Sequence, residues 1–301
     1  MPISVLRDAG LSALIESDAL DVVASKDDGL QFTEGPLWLA DGTLLFQDIK
    51  AEKSYRVAPG GKPEAFRSGT GAANGQTFDA QGRIIFCEQN GRRVSRMNVD
   101  GSNVETVTEH WDGKHLNSPN DIIARRDGLV YFTDPPYGVK DAQREIPFQG
   151  VFALDSLGQS RLLVDDFEKP NGLAFAPDES VLYICDTGKY HVRAFNVELS
   201  GTLAEGSGRV FCTLDPEGEG GPDGIKVDQG GRVYVAVKQG VWVFEPGGRL
   251  LGILAVEQRP ANLAWGGPDG RTLAITAVDH VYKVQFRGAG MIPPFQDAAA
   301  G

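Results

Sequence analysis

Apolar residues along this chain come in short alternating runs, each closed by a turn, and one arrangement of such runs keeps returning. A polar head is followed by an apolar strand, a glycine- or aspartate-bearing turn and a second apolar strand. The copies read EGPLWLADGTLLFQD from Glu34, NGQTFDAQGRIIFCE from Asn74 and NDIIARRDGLVYFTD from Asn120. They continue as NGLAFAPDESVLYICD from Asn171, DGIKVDQGGRVYVAV from Asp223 and NLAWGGPDGRTLAITA from Asn262. Period-two alternation interrupted by Asp-Gly, Gly-Gly or Gln-Gly is the signature of a β-hairpin. A third apolar run follows each hairpin, as in RRVSRMNV, HVRAFNV, VWVFEP and VYKVQF, and a fourth follows in several, as in VETVTEHW and RLLVDDF.

The heads are 40, 46, 51, 52 and 39 residues apart. A repeat of roughly 40 to 50 residues built from four strands is a propeller blade. The pattern therefore predicts an all-β fold, a six-bladed β-propeller of four-stranded antiparallel blades around a central channel, spanning residues 21–287. Residues 1–20 form an N-terminal arm, in which Val5, Leu6, Leu11, Leu14 and Ile15 share one side of a short amphipathic helix, with a frayed arm as the alternative. DVVAS, just after it, is placed to add an outer strand to the last blade and close the ring. The tail, 288–301, has no periodicity and is expected over the surface or disordered.

Composition narrows the class of partner. A formal charge of −12 argues against nucleic acid and anionic membrane, both of which reward a basic face. No apolar run reaches the length of a membrane-spanning helix, and the first twenty residues lack the features of a secretory leader. Three cysteines, Cys87, Cys185 and Cys212, suit free thiols in a reducing compartment. The expected location is cytoplasmic and the expected partner a small molecule.

In a propeller the innermost strands line the axis, so equivalent positions form a ring. The six heads, Glu34, Asn74, Asn120, Asn171, Asp223 and Asn262, each carry a side-chain oxygen. Two carboxylates among four carboxamides suit a hard divalent cation; the competing reading is that Asn-Gly and Asp-Gly simply make turns. A second ring, 14 or 15 residues after each head, reads Asp48, Glu88, Asp134, Asp186, Val237 and Ala277. Its acids are better read as turn formers than as a second shell. The long loop Pro135–Gly150 is placed to wall a pocket with Tyr137 and Phe148. The approach to Asn120 brings His115, Asn117 and Ser118 toward the same mouth. No G-x-S-x-G elbow and no H-E-x-x-H motif is present, which leaves metal-assisted chemistry through oxygen ligands.

These segments, FTEGPLW, NSPNDII with YFTDPPYG, KPNGLAF, GGPDGIKVDQGG and NLAWGGPDGRTLAIT, occur in order on the blades. On them the chain resembles the SMP-30/gluconolactonase/luciferin-regenerating-enzyme family, nearest to bacterial gluconolactonases, from about Asp21 to Phe286. The resemblance implies a divalent cation held by Glu34, Asn171 and Asp223, with Asn120 touching metal or substrate. It also implies hydrolysis of an aldonolactone, with Asp223 assisting as base. Asn74, His115 and Tyr137 join Asn120 as candidate substrate contacts, and Asn262 is assigned to structure. The cation is left open among calcium, magnesium, manganese, zinc and ferrous iron, as are the lactone and the oligomeric state. Rival readings are a propeller hydrolase for organophosphates or non-sugar lactones, a non-catalytic ligand-binding propeller, and a strictosidine-synthase-like condensation.

Overall fold

The computed structural model describes residues 1–214 and 220–300, without the side chains of 299 and 300. Six four-stranded antiparallel sheets follow one another along the chain, one of them extended by a fifth strand, with a two-stranded hairpin between the second and third. The chain is thus the six-bladed propeller that the repeat predicts. In every blade the inner three strands run from the axis outward in chain order. The inner strands are Thr33–Trp38, Ala73–Phe78, Ile122–Ala124, Pro170–Phe175, Ile225–Val227 and Pro260–Gly266. Closure is by strand exchange: Asp21–Ala24 pairs with His280–Gln285 as the outermost strand of blade six. This ties the start of the chain to its last blade.

The inner two strands of every blade are almost wholly buried, because both faces are covered by neighbouring blades. Their side chains therefore interleave as blade-to-blade clusters. One cluster joins Tyr234, Trp265 and Phe286, with the Tyr234 and Trp265 rings edge-to-face at 5.0 Å. All three cysteines are free and buried. Among the described residues, no helix is long and apolar enough to cross a membrane.

The arm forms no α-helix. Val5–Leu6 pairs with Leu250–Ala255 as a fifth strand on blade five, and a single 3-10 turn covers Ser12–Leu14. Gly10, at φ 128°, breaks the stretch that a helix would need. The apolar positions read as a helix face are used differently: Leu11 and Ile15 plug into the cluster around Trp265.

The tail crosses the opposite mouth of the channel. Met291 N–H donates to Val227 O at 2.9 Å, Gly290 N–H to Gly270 O at 2.9 Å, and Gln296 Nε2 to Trp38 O at 2.7 Å. Met291 to Pro294 roof an apolar cavity of about 110 Å³ lined by the far ends of the inner strands, among them Trp38, Phe175 and Trp265.

Candidate functional site

The other mouth opens on a cavity of about 560 Å³ whose wall includes Glu34, Asn74, Asn120, Asn171 and Asp223. Five of the six heads thus meet at one end of the axis, all of them buried. The sixth, Asn262, is not on that wall; its Oδ1 accepts the Leu263 N–H at 2.8 Å.

What brings the heads together is the residue after them. Gly35 sits at φ +50°, and a Cβ there would lie 2.0 Å from the Asn74 carbonyl oxygen. A Cβ at Gly172 would lie 2.5 Å from the Asp223 carbonyl oxygen, an atom that accepts the Gly172 N–H at 3.1 Å. Gly75 and Gly224 hold the same offset and bond in the same way, to Asn120 O at 2.9 Å and Ala261 O at 2.7 Å. The glycines are there because neighbouring inner strands touch at the ring. They do not mark turns.

The acids at the ends of three second strands explain how three of the heads are aimed. Asp48 accepts the N–H groups of Gln31 and Phe32 at 2.8 and 3.1 Å. Asp134 accepts those of Asn117 and Ser118, both at 2.7 Å. Asp186 accepts those of Glu168 and Lys169, both at 3.0 Å. In each blade these amides belong to the third and second residues before the head. The carboxylate clamps the segment that delivers Glu34, Asn120 or Asn171, so this ring serves the first from behind. Glu88 departs from the pattern and pairs instead with Arg93 at 2.9 Å.

Among the heads, electrostatics bear on Glu34 and Asp223. Burial holds the Glu34 carboxyl well above its ordinary range, Asp223 and Asp121 push it the same way, and the Gly35 N–H and Asn262 side chain oppose them. Burial also lifts Asp223 to about 6, against the Arg259 guanidinium and the Asn171 side chain. Arg259 Nη2 donates to Asp223 Oδ2 at 3.2 Å.

Asn171 has a defined orientation. Thr187 Oγ1–H donates to Pro222 O at 2.7 Å, so the same oxygen accepts from Asn171 Nδ2 at 3.0 Å. Asn171 Nδ2 also reaches Tyr137 Oη at 3.3 Å. The amide nitrogen is thereby engaged, and Oδ1 is the atom left for a ligand. Two carboxylates and an oriented carboxamide oxygen, with Asn120 and Asn74 alongside, form an oxygen-only donor set of the kind a hard cation prefers. Among the described residues, no group of three or more His, Cys, Asp or Glu side chains is arranged to hold a metal. A cation here would rely on the carboxamides.

Tyr137 stands on the cavity wall; Phe148 and His115 do not. The Phe148 ring packs on Trp111 at 5.6 Å. His115 sits on a hairpin, paired with His110, their Nε2 atoms 3.2 Å apart. That hairpin carries its own signal, Asp112-Gly113, with φ 50° and 74°, the two-residue turn that Asp-Gly favours. Asn117 and Ser118 lie beneath the wall; Ser118 Oγ accepts the Gly138 N–H at 2.8 Å and so anchors the loop carrying Tyr137. Residues that the repeat did not flag also line the cavity: Lys50, Gln89, Lys169, Thr187 and Arg259. Lys169 and Arg259 lie two and three residues before heads, and Thr187 and Gln89 one after the second strand's acid. The offsets repeat but the residue types do not.

Known proteins resemble this chain over most of its length. A family model described as the SMP-30/Gluconolactonase/LRE-like region matches residues 32–279. A gluconolactonase of Zymomonas mobilis is 29% identical over 307 aligned positions, covering 93% of this chain and 85% of the relative. A pentonolactonase of Haloferax volcanii is 28% identical, covering 83% and 82%. A solved structure of a gluconolactonase from Xanthomonas campestris superposes with a TM-score of 0.84 at 32% identity, over 95% of both chains.

Proposed function

Since the chain belongs to the SMP-30/gluconolactonase/LRE-like family, we propose that it hydrolyses a sugar lactone, an aldonolactone such as gluconolactone, to the aldonic acid with the help of one divalent cation. The observation that carries this reading is the convergence of Glu34, Asp223 and the oriented Asn171 oxygen on one cavity. Held by those three groups, a divalent ion would supply Lewis-acid polarisation of the lactone carbonyl.

The chain's own residues do the rest. Asp223 accepts a proton from the attacking water and returns it to the ring oxygen as the acyl–oxygen bond breaks. Arg259, bonded to Asp223 Oδ2, fixes that carboxylate and leaves its second oxygen for the cation and the water beside it. Asn120, Asn74 and Tyr137, on the same wall, orient the sugar hydroxyls. An open cavity of about 560 Å³, lined mostly by residues with polar side chains, has room for a monosaccharide.

The experiment is acid release, followed with a pH indicator, from a panel of aldonolactones, non-sugar lactones and organophosphates. Chelated protein is compared with protein resupplied with each divalent cation in turn. Release above the spontaneous rate from an aldonolactone, restored by a cation, is the expected result. Restored turnover confined to organophosphates or non-sugar lactones would assign the site to another hydrolase.

A further inference from the structure

Three carboxylates, not two, act on one another inside the channel. Asp121 takes the place after the head that glycine holds in four other copies. It is 3% exposed, and its charge bears on both Glu34 and Asp223. One oxygen accepts the Ile122 N–H at 2.9 Å; the other, Oδ2, is buried without a hydrogen-bond partner. The cation facing that oxygen is Lys226, whose Nζ lies 4.0 Å away.

Lys226 is charged where the other copies of the repeat carry uncharged residues. It stands three residues after its head, where the other copies carry Leu37, Thr77, Ile123, Ala174 and Trp265. It reaches the apolar cavity at the far mouth, whose lining includes Ile123, Ala174 and Trp265. An ammonium there is costly to bury, and an apolar residue of similar size would pack at lower cost. Its other bonds run to the Ile225 carbonyl at 2.9 Å and, at 3.5 Å, to Asn262 Oδ1. The Asn262 side chain in turn favours the ionised form of Glu34. One side chain thus links the Asp121 carboxylate to the head ring.

We propose that Lys226 is a positioning residue that serves as the channel's fixed counter-ion, its charge offsetting Asp121 and so setting how strongly the ring of Glu34, Asn171 and Asp223 attracts a divalent cation. The inference rests on the metal reading of that ring, and it is specific to this chain's charge arrangement.

Two substitutions of opposite charge effect test it. Calorimetric titration of chelated protein with Mn²⁺ at pH 8 reads the affinity. Lys226→Met is expected to tighten binding by on the order of tenfold and Asp121→Asn to loosen it by a similar factor. The double variant returns to within about threefold of the parent, and Lys226→Arg leaves affinity unchanged. A merely structural lysine would give no such opposition, so shifts in the same direction, or no shift from Lys226→Met, would overturn the proposal. If Lys226→Met does not fold, Lys226→Gln makes the same charge change.

A second cycle needs no metal. In chelator, Lys226→Met is expected to lower the melting temperature in the parent and much less in the Asp121→Asn background. Equal losses in both backgrounds would sink the counter-ion role. Glu34→Gln separates the two levels of the argument. Cation binding that survives it would refute the ring as the metal site, and the metal-free cycle would still decide for or against Lys226.

Discussion

Thr187 spends its one hydroxyl hydrogen on Pro222 O, and that choice dictates which end of the Asn171 amide faces the cavity. Thr187→Val keeps the shape and removes the acceptor. Cation affinity should fall by about 10-fold or more, as for other groups that orient a metal ligand, with the melting temperature of the metal-free protein little changed. Calorimetric titration beside a thermal melt checks both. Asp223→Asn keeps an oxygen donor and removes the base. Turnover at saturating cation should drop by roughly 10²-fold to 10⁴-fold, while the cation still binds. Full turnover with cation bound would refute the role given to Asp223. The heads themselves were legible because one polar residue recurs with the blade period. Arg259 and Thr187 were not, since their offsets recur with a different residue each time, and Asp121 hid behind Asn120. His115 was misplaced because its neighbour Asp112-Gly113 turns the segment back on itself.

At the scale of the element, a head is only as well placed as the strand end behind it. Asp186 is buried and, besides Glu168 and Lys169, accepts the Gly188 N–H at 3.1 Å, so the loop before Asn171 and the turn after the second strand share one carboxylate. Asp186→Ala leaves these amides without their acceptor. It should cost about 2–4 kcal/mol, visible as a lower denaturation midpoint, and should weaken cation binding even though no proposed ligand is altered. Loss of stability with unchanged affinity would show that the clamp does not aim Asn171. The sequence displayed these acids but not their targets: a carboxylate that caps a backbone segment looks the same as one that faces a ligand. Blade boundaries were readable from turn chemistry. The arm and tail were not, because each is held by tertiary contacts, Leu11 and Ile15 in the core and Gly290 to Met291 across the far mouth, with no repeating period to reveal them.

For the whole molecule, the ring makes folding and cation binding answer to pH in opposite ways. Glu34 and Asp223 both sit above their ordinary values in the metal-free protein, Asp223 at about 6 against 3.8. A carboxyl raised on folding contributes stability that is fully present below its unfolded pKa and lost as pH rises through its folded one. Chelated protein should therefore melt at a lower temperature at pH 8 than at pH 5. The stabilisation by a divalent cation should grow over that interval, because the cation binds the ionised form. A thermal-shift series with and without Mn²⁺ reads both slopes. A propeller suits such a device, since six rigid blades can hold like charges together that a looser scaffold would let relax apart. The most direct test of the account is lactone hydrolysis by exhaustively chelated protein as a cation is titrated back, in the parent and in Glu34→Gln. We predict no enzymatic release without cation, saturable recovery in the parent, and recovery at least 10²-fold weaker in the variant. Full turnover in chelator, or identical recovery curves for the two proteins, would contradict it.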